Sequence, residues 1–178
     1  PPQDIFVGNP DATVTLMEFG EYENEDCAKA NEVVKRLLEE FEGKIKFQFR
    51  HFPLTKIHQR SMKAGEAAVA ASQAGKFWEM HNILFDNRRQ LGTTSLKLYS
   101  KEAGVSNKHF LDDLINSTYG WQVRNDLNEG IERGVRDVPA FFVNGQLVSG
   151  KPTFENLSKG IALALKKSKK KAPAKQRA

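Results

Sequence analysis

The 178 residues, 39% of them hydrophobic, suffice for one domain with its own core, and no apolar run approaches the ~20 residues that cross a bilayer. The formal charge of +5 is confined to one end: Lys166, Lys167, Lys169, Lys170, Lys171, Lys175 and Arg177 are seven of the 27 basic residues and leave 20 against 22 acidic side chains in the rest. A basic body built for specific nucleic-acid binding is thereby excluded, and a single cysteine, Cys27, excludes a thiol/disulfide cycle within the chain.

Gly8, Asn9, Pro10 and Asp11 make a turn-rich opening, and Thr13 to Phe19 is then β-branched and apolar enough for a buried strand. From Glu25 to about Phe41, Ala28, Val33, Val34, Leu37, Leu38 and Phe41 recur at helical spacing, with Asn24 placed as N-cap and Gly43 as the stop. Ile45 to Phe52 alternates apolar with polar residues and predicts a second strand, completing a βαβ unit with a right-handed crossover. Ser61 to Gly134 is helical almost throughout, with breaks at Gly75, Gly92-Thr93, Gly104 and Ser117. Its Ala64 to Ala74 segment and its stripe of Phe77, Trp78, Met80, Leu84 and Phe85 read as core rather than as a cofactor pocket.

Ala140 to Ser149 predicts a tight hairpin around Asn144-Gly145, a pair suited to a type I′ turn, and Phe154, Leu157, Ile161 and Leu165 mark the buried face of a last helix. The body ends near residue 165. Residues 166–178 are too polar to offset their ordering entropy and are predicted to be disordered, serving as a solubilising terminus or as a weak, salt-sensitive contact with an anionic surface.

His51, His58, His81 and His109 contain no pair at zinc-ligand spacing and none stands near the cysteine, so the sequence predicts ordinary hydrogen-bonded or surface histidines and no metal site. A phosphate-binding glycine loop and a serine nucleophile elbow are also lacking.

Four segments carry a family likeness: Phe19-Gly20-Glu21-Tyr22-Glu23-Asn24-Glu25-Asp26-Cys27, Arg50-His51-Phe52-Pro53-Leu54, Phe77-Trp78-Glu79-Met80-His81, and Val138-Pro139-Ala140-Phe141-Phe142-Val143-Asn144-Gly145. In that order they resemble the DsbA-like branch of the thioredoxin superfamily, the disulfide oxidoreductases in which Phe-x-x-Tyr-x-Cys-Pro-x-Cys follows the first strand. The likeness runs from about Phe6 to Leu165. It implies an α/β thioredoxin fold, a central mixed sheet flanked by helices, with one domain over residues 1–165 and a helical insertion at about 59–134. It also implies that Cys27 stands at the resolving-cysteine position and that Asn24 replaces the attacking cysteine. By the same likeness Glu18 would be a buried acid serving proton transfer, against the plainer reading of a strand-end carboxylate that salt-bridges or meets solvent. Pro139 would be the family's cis-proline, leaving the backbone of Val138 free to pair with an extended peptide.

The departure from the family falls on the chemistry. Asn24 is a strong N-cap, Glu25 and Asp26 suit the positive end of the helix dipole, and two nearby carboxylates disfavour a thiolate at Cys27. The resulting expectation is an oxidoreductase-family protein with an incomplete catalytic pair, without ordinary dithiol redox activity and with a retained peptide groove. The alternative is a monothiol or glutathione-linked enzyme acting through Cys27, glutathione being the one cofactor weighed. Its partner would be an extended polypeptide or a thiol-containing protein, and the resemblance implies a bacterial, extracytoplasmic setting. Similar domains occur fused behind membrane transporters, an arrangement that a start at Pro1 fits as well as a cleaved signal does.

Overall fold

In the computed structural model, which describes the backbone of residues 4–176 and the side chains of residues 4–170, β2 (Val14–Gly20) and β3 (Ile45–His51) are parallel neighbours joined by α1 (Glu25–Glu40). β1 (Phe6–Gly8) extends the sheet antiparallel to β3, while β4 (Ala140–Val143) and β5 (Gln146–Leu147) extend it antiparallel on the side of β2. The strand order is β1-β3-β2-β4-β5, a five-stranded mixed sheet. Between β3 and β4 the chain makes α2 (Ser61–Gln73), α3 (Phe77–Asp86), α4 (Thr93–Glu102), α5 (Phe110–Ile115) and α6 (Gly120–Glu132), and it closes with α7 (Phe154–Gln176).

The alternation of β2 divides its side chains between two faces. Val14, Leu16 and Glu18 pair across the ladder with Ile45, Phe47 and Phe49, so these six share one face, and all are buried. Phe19 belongs to the other face, where its ring meets Phe52 and Phe142 edge-on at 6.5 and 5.7 Å. Helix α6 reaches that face through Gly130: a methyl group there would lie 2.7 Å from the Phe52 ring and 3.0 Å from that of Phe19. Helix α7 packs on β2 and β4 and along α1, where Arg36 stands 4.1 Å over the Phe154 ring.

The turn between β4 and β5 has Asn144 at φ 47° and Gly145 at φ 85°, both in the left-handed region that a type I′ turn demands. Asn144 also fastens the hairpin to the start of β2. Its Oδ1 accepts from Thr15 N–H at 2.8 Å and its Nδ2 donates to the Thr13 carbonyl at 3.3 Å.

Two features depart from the expectations. β1 forms ahead of the turn-rich opening and shares only Gly8 with it, its three residues held by the edge of β3. The last helix does not stop near residue 165. It continues to Gln176, because lysine and alanine are strong helix formers and because Ser168, one turn past Leu165, is hydrogen-bonded to Thr13 Oγ1 at 3.1 Å. The side chains beyond Lys170 lie outside the described residues.

Gly130→Ala tests the close approach of α6 to the sheet. Alanine improves helix propensity by ~1 kcal/mol, but the added methyl must displace two rings packed on several sides, so a net loss of about 1–3 kcal/mol in chemical denaturation is expected. Unchanged or increased stability would show that the rings yield freely.

Candidate functional site

Helix α1 begins at the end of β2, and its first turn is built around Asn24. The residue is extended (φ −78°, ψ 124°) and its Oδ1 accepts the backbone N–H of Cys27 at 2.9 Å, satisfying one of the otherwise unpaired donors of the first turn. Glu25 and Asp26 follow at the positive end of the helix and are exposed, Glu25 standing 3.5 Å from Lys29 and 4.0 Å from Arg88. Cys27, one turn in, points into the protein and is fully buried.

Beneath this turn lie polar groups that burial keeps neutral. Glu18 is fully buried, and neither of its carboxylate oxygens has a hydrogen-bond partner among the described residues. The plainer reading of Glu18 as a solvent-facing or salt-bridged strand end is therefore corrected: it lies on the inner face of a central strand, where no cation reaches it. A methyl group on Gly20 would stand 3.0 Å from Glu18 Oε2 and 3.2 Å from Cys27 Sγ, so the absence of a side chain at Gly20 lets acid and thiol crowd the same spot.

Burial holds the Glu18 carboxyl well above the usual carboxylate range. Burial also pushes the Cys27 thiol far up, with the charges of Glu18, Glu21 and Asp26 acting in the same sense against a backbone hydrogen bond at Glu21 that lowers it. Since Glu18 is itself protonated over much of the range, desolvation does most of this work, and near neutrality Cys27 is a thiol rather than a thiolate nucleophile.

The polar layer continues into the helical insertion. Tyr22 Oη meets His81 Nδ1 at 2.7 Å, and Tyr22 stacks on Phe49 at 5.5 Å. The remaining nitrogen of His81 and both ring nitrogens of His51 have no partner among the described residues. Burial, aided by Arg50, pushes His51 down to about 3, and His81 is likewise held well below the usual histidine value. Asp126 accepts the backbone N–H of His51 at 3.1 Å and is pushed up to about 7 by burial, against that hydrogen bond and Arg50. Two of the four histidines are thus buried: His81 is hydrogen-bonded, as expected, whereas His51 is neither at the surface nor hydrogen-bonded through its ring among the described residues. The sequence signal lay in their neighbours, since His51 stands next to Phe52 and two positions from Phe49, and His81 stands four positions from both Phe77 and Phe85.

Val138 and Pro139 precede β4, and the peptide bond between them is cis. The last rung between β2 and β4 pairs Phe19 with Ala140, so Pro139 comes one position further along, on the side of Gly20 and the motif, while Val138 takes no rung of that ladder. Register thus brings together Glu18, Asn24, Cys27 and Pro139 at one end of the sheet. A groove of about 590 Å³, lined by Leu147, Leu163 and Lys167 among others, lies by the hairpin at the opposite end and contains none of them. No helix among the described residues is long and apolar enough to cross a membrane.

The sequence model of the family described as Thioredoxin matches residues 1–162. The structure superposes on that of oxidised BdbD from Bacillus subtilis with a TM-score of 0.84, at 22% identity and covering 92% of this chain and 93% of the other. The structure of alpha-DsbA1 from Wolbachia pipientis gives a TM-score of 0.81 at 19% identity, covering 97% and 96%. In sequence the chain is 32% identical over 164 residues to a Na(+)/H(+) antiporter NhaA 1 from Salinispora arenicola, a match that takes in 92% of this chain but only 25% of that protein's length. The chain belongs to the thioredoxin family and has the DsbA-like form of its fold.

Glu18 makes the buried layer measurable. In the unfolded chain a glutamate ionises around its ordinary 4.5, whereas the folded protein holds Glu18 protonated to well above that, so the folded state binds more protons and Glu18 costs stability as pH rises from about 4.5. His51 acts in the opposite sense, costing stability as pH falls between its ordinary 6.5 and about 3, but does so equally in a Glu18 variant. The stability of Glu18→Gln relative to wild type should therefore improve with pH by up to about 1.4 kcal/mol per unit above that onset. Denaturant titrations of both proteins from pH 5 to 8 check this, and a pH-independent difference would mean that Glu18 is ionised in the folded state.

Proposed function

We propose that this domain is a thioredoxin-family scaffold in which dithiol redox chemistry has been replaced by binding of an extended polypeptide at the Pro139 edge. One observation carries the reading: the position at which the family resemblance puts the attacking thiol holds the amide of Asn24, already committed to the N–H of Cys27. Disulfide exchange requires a thiolate to attack sulfur and a second thiol to resolve the mixed disulfide. Here the only cysteine is buried and held in its thiol form, which weighs against the monothiol and glutathione-linked alternative as well.

A binding role draws on a different part of the site. Val138 and Pro139 lie beyond the β2–β4 ladder, beside the motif turn, and an extended segment laid along them would gain backbone hydrogen bonds without needing a thiol. The likeness to a quarter of a Na(+)/H(+) antiporter supports a setting in which such a domain is carried by a membrane transporter and contacts a segment of it or of a client.

Two experiments separate the readings. Wild-type protein is expected to be inactive in a disulfide-exchange assay with a dithiol-sensitive substrate, while Asn24→Cys, which restores a thiol at the head of α1, should gain activity on the order of tenfold or more. Activity in wild type that disappears in Cys27→Ser would overturn the proposal in favour of monothiol chemistry. In parallel, fluorescence anisotropy with unstructured peptides should detect binding that Val138→Asp weakens, and a flat titration at every salt concentration would remove the groove from the account.

A further inference from the structure

Glu21 and Glu23 flank Tyr22 in the turn just before Asn24, and His58 lies in the loop that leads from β3 to α2. The chain brings these three together. One ligand atom from each, two carboxylate oxygens and an imidazole nitrogen, lies within 4.8 Å of the other two. Glu21 Oε1 faces His58 Nδ1 directly, and its Oε2 is held by the Glu23 N–H at 3.0 Å. Glu23 Oε2 in turn accepts the backbone N–H of Arg60 at 3.1 Å. Each carboxylate is thus oriented by a main-chain donor while lone pairs remain to meet a further group.

The charge balance is the second observation. Glu21 is buried to 1% exposure, and among the described residues no lysine or arginine forms an ion pair with Glu21 or Glu23. The two nearest arginines are turned elsewhere. Arg60 directs its guanidinium to Gly92, and Arg88 reaches the main-chain carbonyl of Glu23 at 3.5 Å and the carboxylate of Glu25 at 4.0 Å. A carboxylate taken out of water is sustained by a paired cation, a metal or a proton. Among the described residues the half-buried His58 is the one ionisable side chain that pairs with Glu21. A divalent ion would serve both acids at once.

We propose that Glu21, Glu23 and His58 form a binding site for a divalent transition-metal ion, with Zn2+ the ion whose coordination chemistry they match. Imidazole nitrogen together with carboxylate oxygen is a zinc donor set, whereas Mg2+ and Ca2+ take oxygen ligands. In a tetrahedral site with bonds of ~2.0–2.2 Å the donors stand roughly 3.3 Å apart, so Glu21 Oε1 and His58 Nδ1, now in direct contact, must part to admit the ion while the partly buried Glu23 swings toward it. Glu21 stays as the fixed ligand. Three protein ligands leave a fourth position open to solvent. The ion would fasten the loop of His58 to the turn that carries the motif. Histidine spacing along the chain predicted no metal site because Glu21 and His58 are 37 positions apart and meet only through the fold.

The test uses the full chain without an affinity tag, stripped with EDTA, desalted and titrated with ZnCl2 by calorimetry. One equivalent should bind with a Kd of ~10 µM or tighter, and saturating Zn2+ should raise the melting temperature. His58→Ala and Glu23→Gln alter partly exposed side chains and should fold normally, each weakening Zn2+ binding by about tenfold or more, whereas His109→Ala, an exposed histidine elsewhere, should leave it unchanged. MgCl2 in millimolar excess should not compete. Binding that survives in both site variants, or no binding tighter than ~100 µM in wild type, would overturn the proposal.

Discussion

The hydrogen bond from Cys27 N–H to Asn24 Oδ1 fixes how β2 turns into α1, and with it the chemistry of the whole turn. A helix start offers unpaired N–H groups and a positive dipole end, the setting that favours a thiolate when the sulfur sits at the cap itself. Here a neutral amide takes that place and absorbs one donor, contributing ~1 kcal/mol to the helix start. The sulfur that remains is one turn further in, where it gains little from the dipole and loses its solvation. Asn24 thus serves the helix start, and Cys27 is part of the core.

That placement explains why the buried acid beneath is silent. Glu18 and Cys27 share the space over Gly20, and in a pair with matched proton affinities an acid so placed could pass a proton to or from sulfur. Burial raises both groups together, so each holds its proton more tightly than it would in water. The neutral His51 and His81 extend the same condition across the core. Buried polar atoms without partners each cost stability, so this layer is sustained by the surrounding apolar packing of Phe49, Phe77 and Phe85.

Sequence reading was strongest where a single local cause decides the structure. The alternation of Ile45 to Phe52, the cap at Asn24 and the paired positive-φ residues Asn144-Gly145 each act within a few positions, and each stands in the structure. What escaped was decided by distant partners. β1 is three residues long and exists because β3 offers an unpaired edge, and α7 outruns its apolar stripe because of the contact between Ser168 and Thr13. The burial of Glu18 was legible only through the family likeness, because an acid at that register is equally at home at a strand end in solvent. Only the parallel pairing with Phe49 and the placement of α1 turn it inward.

The motif turn is held by ties that do not depend on redox chemistry. Four of its residues hold structural partners: Glu21 with His58, Tyr22 with His81, Glu23 with Arg60 N–H, and Asn24 with Cys27 N–H. Three of these partners lie beyond β3, in the loop before α2 and in α3, so the turn is tied to the insertion at several points. Loss of an attacking thiol removes none of those ties, because the sulfur of a reactive pair must stay free to exchange and so bears little structural load. Substituting asparagine adds one tie more. The geometry around Pro139 is likewise independent of any thiol, since what positions it is the β2–β4 ladder.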